Sequence, residues 1–222
     1  MKIERSLAIE LSAVTAAILV ITHLLFLARA NAFIGSHISY FVAYMLIGIP
    51  LIVLWIRKRP LDFFAFGLKD IARAVGVFVI SALIIFPPFL VAAHFWQKIV
   101  LGKTAFSVAG FSGFTDLLLV QLLIVALPEE FYFRGYFQSA MNRIFPGRKR
   151  ILGVNLGWGF LITAFVFAIA HSIVVYQWWH IFIFFPALVF GYLRERTGLI
   201  LAPTLFHAAA NLLMNWFTRC YV

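Results

Sequence analysis

Residues 121–137 read QLLIVALPEEFYFRGYF, and they decide the fold class because they place three charges inside an apolar run. A carboxylate at the centre of a bilayer costs about 2.5–3.5 kcal/mol, so the adjacent acids Glu129 and Glu130 need a compensating reason. Glu130 and Arg134 are four residues apart and share a helix face, which predicts an ion pair. Glu129 is rotated by about 100° from Glu130 and is predicted to face a different partner.

Pro128 lies immediately before the two acids. Proline has no backbone N–H, so the carbonyl of Ile124 loses its helical partner, and we expect a kink at the level of the acids. This combination favours a functional role for Glu129 over the simpler interpretation, in which both acids only join neighbouring helices.

The composition of the whole chain indicates an integral membrane protein. Of its 222 residues, 64% are hydrophobic and 12% are charged, whereas soluble domains carry about a quarter charged residues. The formal net charge of +10 could suggest nucleic acid as a partner. We expect none, because the basic residues form short clusters between apolar runs, as in loops held on one side of a bilayer.

The single cysteine, Cys220, excludes a disulfide framework and a cysteine-based metal site.

Seven apolar runs are long enough to cross the roughly 30 Å hydrocarbon core as helices. We predict an all-α fold, a polytopic transmembrane helix bundle with about seven spans (six to eight), forming one domain over 1–222 with a motif-bearing core at 115–217. Leu61–Arg73 is expected to be an interfacial amphipathic stretch and Gln97–Gly113 a loop. The predicted spans are Leu7–Ala28, Ile38–Ile56, Ala74–Trp96, Thr115–Phe137, Leu152–His171, Tyr176–Leu193 and Leu199–Phe217.

The distribution of Lys and Arg predicts the orientation of the bundle. With the N-terminus inside, 13 of the 18 basic residues fall in inside segments and 4 in outside segments, and Arg134 lies within a span. Positive residues concentrate on the cytoplasmic side of membrane proteins. We therefore expect a multi-pass protein of a prokaryotic plasma membrane, with a cytoplasmic N-terminus and an outside C-terminus.

Two of the six histidines are candidates to face Glu129. His171 ends the run FAIAH, and His207 opens the run HAAAN, which ends at Asn211. The small residues in both runs allow close helix approach. A carboxylate, two imidazoles and an amide from the fourth, fifth and seventh spans can activate water and bind an oxyanion, which is hydrolase chemistry. The remaining histidines are expected to be packed or interfacial, namely His23, His37, His94 and His180.

Three motifs in this order carry a resemblance to a known family. They are EExxxR at 129–134, FxxxH at 167–171 and HxxxN at 207–211. Together they resemble the motifs of the CAAX-protease and bacteriocin-processing superfamily of intramembrane endopeptidases. The type II CAAX prenyl endopeptidase is a known member of that superfamily. The residues RTG at 196–198 and Pro203 are similar to what precedes the last motif in that family. The resemblance covers 121–215.

The resemblance implies a role for each motif residue. Glu129 and His171 would polarise a water for attack on the scissile carbonyl, and His207 and Asn211 would stabilise the oxyanion. The supporting residues, which would hold the helix geometry, are Glu130, Arg134 and Phe167.

Metal dependence is open in this interpretation. Two histidines and one glutamate are a recognised catalytic zinc set, here Glu129, His171 and His207. Against zinc, the sequence has no HExxH motif, and the amide of Asn211 suits an oxyanion hole better than a ligand shell. We expect a metal-free glutamic mechanism without a cofactor, with zinc as the alternative.

The expected substrate is a membrane-anchored or lipidated protein, cleaved near its C-terminus. Prenylated CAAX tails and C-terminal sorting tails are two options, and the position of His171 near the outer end of its span favours a pocket that opens outward. Two other classes stay open. One is a small proton-coupled transporter, since buried Glu and His also form proton relays. The other is a non-catalytic bacteriocin-immunity or scaffolding protein that has kept the motifs. Paired broken helices in two halves, as in many carriers, are not apparent.

Overall fold

The computed structural model describes residues 2–110 and 113–222. Seven helical segments follow one another in this part of the chain. Short 3₁₀ segments, Ala28–Ala30 and Trp178–Ile183, precede the second and sixth, and a π-helical turn, Trp96–Val100, extends the third. The seven are α1 (Lys2–Leu27), α2 (Ala32–Ile56), α3 (Leu68–Phe95), α4 (114–144), α5 (Trp158–Val174), α6 (Phe184–Thr197) and α7 (Leu201–Arg219).

Helix α4 is irregular where it carries the acids. Two π-helical pieces, Val120–Ala126 and Phe131–Phe137, flank the α-helical turn Leu127–Glu130, and α-helical pieces Phe114–Leu119 and Gln138–Ile144 complete the segment. Pro128 offers no N–H to the helix. The N–H of Leu127 bonds to the carbonyl of Leu122, five residues back. π-helical turns inside α-helices are frequent at functional sites, and the kink expected at Pro128 stays a prediction.

Successive helices run in opposite directions, which polar contacts at one end of the bundle show. Glu10, near the start of α1, bonds to Arg57 and Arg59 just after α2. Arg73, near the start of α3, donates to the carbonyl of Arg196 near the end of α6. We call this end, which also carries Arg148, Lys149, Arg150 and Arg194, the basic end.

Aromatic contacts join the chain at the opposite end. Trp96, after α3, lies 6.2 Å from Trp178, ahead of α6, between ring centroids. Phe106 lies 5.1 Å from Tyr221, after α7. The start of α1 and the end of α7 therefore lie at opposite ends of the bundle, as an odd number of crossings requires.

In the described part of the chain, three helices are long and apolar enough to cross a membrane by themselves, Glu4–Ala30, Ala32–Ile56 and Leu68–Val100. Helix α5 is apolar but shorter. The outward face of α3 is apolar and exposed, with Leu83 71% and Ile84 67% accessible, as a lipid-facing helix requires. The structure therefore supports a mainly helical membrane bundle, and the count of seven spans stays a prediction.

Several predicted boundaries were wrong. The fold is not purely helical, because β1 (Arg148–Ile151) and β2 (Val154–Gly157) form an antiparallel hairpin. The fifth helix therefore begins at Trp158 and not at Leu152. Residues 152–157 read LGVNLG, and two glycines and an asparagine make this apolar stretch a poor helix.

The segments on either side of α3 also differ from the prediction. Helix α3 begins at Leu68 instead of Ala74, and Phe63 in the predicted interfacial stretch Leu61–Arg73 is 2% accessible. It is buried because its ring lies where Gly135 of α4 leaves space, and a Cβ at 135 would approach that ring to 2.7 Å. The predicted loop Gln97–Gly113 starts with the π-helical turn, and its residues 111 and 112 lie outside the described residues.

Candidate active site

Glu129 lies between the two histidines that the sequence analysis singled out. Its Oε2 atom is 3.6 Å from Nε2 of His171 and 3.9 Å from Nε2 of His207. Oε2 is buried and has no hydrogen-bond partner among the described residues. Buried polar atoms nearly always have a partner, so this oxygen is available to a group that enters the site.

The backbone fixes the tautomer of His171. Its Nδ1 lies 2.8 Å from the carbonyl oxygen of Phe167, and a carbonyl can only accept, so Nδ1 carries the hydrogen. In the neutral imidazole, Nε2 then presents its lone pair towards Glu129. Two acceptors that face each other at 3.6 Å need a shared donor, and a water molecule provides one.

Glu130 connects α4 to α7 as well as to its own helix. Its Oε2 lies 3.2 Å from Nε of Arg134, and its Oε1 lies 3.0 Å from Nδ1 of His207. Glu130 and Arg134 are both completely buried. Removing one partner of a buried pair leaves an uncompensated charge, which costs about 3–5 kcal/mol.

Arg134 is enclosed by aromatic rings. Its guanidinium carbon lies 4.4 Å from the ring centroid of Phe167 and 5.2 Å from that of Phe190, and Nη2 donates to the carbonyl of Ala187. A cation over an aromatic face is stabilised by up to about 2 kcal/mol when desolvated. Phe167 also lies beside the ring of His171, with centroids 4.6 Å apart, so it contacts both the buried pair and the candidate base.

Asn211 lies on the face of α7 that carries His207, but its described hydrogen bond leads elsewhere. Its Nδ2 donates to Oε1 of Gln121 at 2.9 Å. Both residues line a separate cavity with Met214, Asn215, Thr218 and Arg219. The structure therefore brings together Glu129, His171 and His207, and holds Asn211 through Gln121. The oxyanion role of Asn211 stays a prediction.

A cavity of about 230 Å³ adjoins Glu129 and His171. Helices α1 and α2 form its opposite wall, which is mostly apolar and includes Thr15, Ile18, Leu19, Thr22, Ile38, Ser39, Val42 and Leu46. Thr15 also contacts Tyr132 of α4, with the two hydroxyl oxygens 2.7 Å apart. The first two helices, which carry no motif, thus shape the space beside the candidate base.

Sequence reasoning missed three residues that hold the site. Phe190 stacks on His207, with centroids 4.6 Å apart and planes at 15°. His180, expected to be packed or interfacial, donates from Nδ1 to the carbonyl of His171 at 3.2 Å. Gln121 holds Asn211. Spacing rules connect residues within one helix, and these contacts join different segments, so no signal in a single sequence could have found them.

The donor side chains of the candidate site bear on the zinc alternative. Within residues 2–110 and 113–222, no set of three or more His, Cys, Asp or Glu side chains could hold a metal ion. Glu129, His171 and His207 supply the types of donor that zinc takes, and Oε2 of Glu129 lies 3.6 Å and 3.9 Å from the two imidazole Nε2 atoms. Zinc stays the alternative.

Comparison with known proteins gives one match. Residues 63–213, more than half of the chain, match the family model of the Rce1-like type II CAAX prenyl endopeptidases. No curated protein and no solved structure matches. The matched stretch contains all three motifs and the whole of α3 to α6, and the apolar helices fit a membrane location. This chain is thus an integral membrane peptidase that belongs to the Rce1-like type II CAAX prenyl endopeptidase family.

Proposed function

We propose that this protein is an intramembrane endopeptidase that activates water with Glu129 and His171 and cleaves membrane-anchored or lipidated proteins near their C-terminus. The observation that carries the proposal is the unpartnered Oε2 of Glu129, which faces the Nε2 atoms of both histidines. A carboxylate and an imidazole that converge on one buried point are suited to general base catalysis.

Hydrogen-bond requirements support different roles for the two histidines. To bind an oxyanion, His207 needs an N–H at Nε2 in addition to the Nδ1–H that Glu130 accepts, whereas a base at His171 needs a free lone pair at Nε2. His207 lies near both carboxylates, at 3.0 and 3.9 Å, so we assign the proton to it. His207 then donates from Nδ1 to Glu130 and offers Nε2–H to an oxyanion, while His171 stays neutral as the base.

The reaction then proceeds by attack of water. The water oxygen bonds to the scissile carbonyl carbon, and one water proton passes to Nε2 of His171. The carbonyl oxygen becomes an oxyanion that His207 stabilises, with the amide of Asn211 as the second donor. When the C–N bond breaks, the proton moves from His171 to the departing nitrogen. Donors placed for an oxyanion typically contribute about 3–4 kcal/mol each.

The apolar cavity supports a substrate that enters from the bilayer. Its walls join Glu129 and His171 to α1 and α2, two helices long enough to cross a membrane. His171 lies three residues before the end of α5, at the end of the bundle opposite to the basic end. With the predicted orientation, that position favours substrates that reach the site from the outer half of the membrane.

The test is cleavage by the reconstituted protein. We would supply prenylated CAAX peptides and unprenylated transmembrane tails in separate arms and compare the parent with Glu129→Gln, which keeps the shape of the side chain. We expect turnover to fall by at least about 100-fold, because the amide no longer polarises and orients the water that His171 deprotonates. The matched control is Asp116→Asn, an exposed acid on the same helix, which should cleave like the parent.

The outcomes separate the alternatives. Equal cleavage by the parent and Glu129→Gln would refute the site, and no cleavage by the parent of any tail would favour the transporter or immunity interpretation. A chelator arm decides the metal question. Activity that disappears with a strong chelator and returns with zinc would overturn the metal-free mechanism.

A further inference from the structure

The hairpin at the basic end combines cations with exposed aliphatic side chains. All four residues of β1 are exposed, including Arg148, Lys149 and Arg150, and at its tip Ile151 is 50% and Leu152 79% accessible. Segments that rest in the headgroup region of an anionic leaflet have this composition, since cations meet the phosphates and apolar side chains reach the acyl boundary.

The turn of the hairpin places a leucine where its backbone is unfavourable. Leu152 has φ 49° and Gly153 has φ 77°, a pair of values that two-residue turns normally meet with Asn-Gly or Gly-Gly. A bulky residue with positive φ is uncommon. The hydroxyl of Tyr192 donates to the carbonyl of Leu152, which ties the turn to α6. The fold thus exposes an apolar side chain at a position that local conformation would give to Asn or Gly.

An apolar groove of about 490 Å³ adjoins this hairpin. It lies between α3, the hairpin, α5 and α6, and its lining includes Ile80, Ile84, Leu156, Phe160 and Leu188. Ile84 is 67% accessible, so the groove is open towards the surroundings of α3. Its shape and lining suit an acyl chain that lies along a lipid-facing helix.

Two cations lie where this groove meets the hairpin. Arg196 is the one charged residue among the described lining residues, and its Nη1 lies 3.0 Å from the position that a Cβ on Gly153 would take. Lys149 pairs with Leu156 in the ladder, and directly opposed residues share a strand face, so Lys149 lies on the face that lines the groove.

Within residues 2–110 and 113–222, no acid forms an ion pair with either of these two cations. Glu195, the neighbouring carboxylate, accepts from Gln138, Asn142 and Arg148. Among the ion pairs of the described residues, none involves Lys149 or Arg196. The positive charge at the mouth of the groove therefore remains available to an anion.

We propose that this groove and the hairpin bind one anionic phospholipid, with an acyl chain along the groove and its phosphate between Lys149 and Arg196. Charge complementarity selects this occupant, because an uncharged chain would leave both cations without a partner. The groove is lined by α3, the hairpin, α5 and α6, and its described lining includes none of the candidate catalytic residues Glu129, His171, His207 and Asn211.

Native mass spectrometry of the purified full chain in detergent tests the site. Phosphatidylglycerol and phosphatidylcholine with identical acyl chains would be titrated in parallel, without substrate. We expect tighter binding of phosphatidylglycerol, and we expect Lys149→Gln with Arg196→Gln to weaken that binding by roughly 30-fold, the effect of two lost cation contacts. Ile84→Trp, which fills the groove, should weaken both lipids.

Arg150→Gln is the matched control, because it removes a cation from the same strand on the other face of the hairpin. Equal binding of the two lipids by the parent, or an Arg150→Gln effect as large as that of the double variant, would overturn the proposal. Glycerophosphate that competes at the same concentration as the lipid would also overturn it, since the groove would then play no part. Lys149→Gln alone, at an exposed strand position, is the variant to use if the double variant melts at a lower temperature.

Discussion

At the scale of single residues, Arg134 shows how a charge is kept inside an apolar bundle. Glu130 neutralises it, Ala187 accepts one of its N–H groups, and the ring of Phe167 lies against its guanidinium. Each contact uses a different property of the side chain, namely its charge, its directed donors and its flat surface. Only arginine has all three.

Arg134→Lys should therefore destabilise the protein although it conserves charge. An ammonium group loses the stacking on Phe167 and the fixed donor to Ala187, and we expect a loss of about 1–3 kcal/mol in the free energy of unfolding. Thermal denaturation in detergent measures it. Arg150→Lys, at an exposed strand position, is the control and should melt with the parent. An unchanged melting temperature for Arg134→Lys would show that charge alone is sufficient.

The spacing of four residues predicted the Glu130–Arg134 pair, and the structure contains that pair. The bond from Glu130 to His207 could not be predicted in the same way, because the two residues are 77 positions apart and lie on different helices. Spacing identified Glu129 as the acid without a partner in its own helix. Which histidines it would meet depended on packing; the small residues beside His171 and His207 indicated these two, and the family motifs contain the same pair.

At the scale of elements, the contact of α4 with α5 depends on a glycine. A Cβ at Gly159 would lie 2.7 Å from the backbone nitrogen of Asn142 and 2.8 Å from the carbonyl carbon of Met141. Backbone atoms cannot turn away as a side chain can. The position of α5 against α4, and with it the distance from His171 to Glu129, depends on the absence of a side chain at 159.

Gly159→Ala should push the two helices apart. We expect a loss of about 1–3 kcal/mol in stability, as for other overpacked contacts, together with lower peptidase activity. Gly48→Ala in α2 is the matched control, because nothing lies within 4 Å of a Cβ there. That variant should be unchanged or more stable by up to about 1 kcal/mol. If Gly159→Ala melts and cleaves like the parent, the close approach is not required.

Apolar run length predicted the helices better than it predicted their ends. The run from Leu152 looked like the start of a span, but Leu152 and Gly153 both take positive φ and turn the chain into a hairpin. A hydropathy pattern does not distinguish an exposed leucine at a turn from a lipid-facing leucine on a helix. The buried Phe63 is the converse case, since its burial depends on Gly135 in a distant helix.

At the scale of the whole molecule, the alternation of helix directions places the two termini at opposite ends. The basic end holds Arg57, Arg59 and Arg73, and the other end holds Tyr221 beside His94. If the basic end faces the cytoplasm, as charge asymmetry predicts, the N-terminus is cytoplasmic and the C-terminus is outside.

Reporter fusions test this orientation. A reporter that works only in the cytoplasm should be active at the N-terminus, and one that works only after export should be active at the C-terminus. The swapped fusions, with each reporter at the other terminus, are the controls and should be silent. Both termini on one side would contradict an odd number of crossings, and a cytoplasmic C-terminus would reverse the face from which substrates are expected to arrive.

The two walls of the cavity beside Glu129 can change independently in evolution, because only one of them lies in the stretch that matches the family. Thr15, Ser39 and Val42 lie outside the stretch that matches the family, while Glu129 and His171 lie within it. Selection can therefore reshape the α1–α2 wall without altering a reacting atom. Proteins that match this family over the same stretch can therefore differ in substrate specificity. Comparing the sequences of their first two helices with α1 and α2 of this protein would guide the choice of peptides to test.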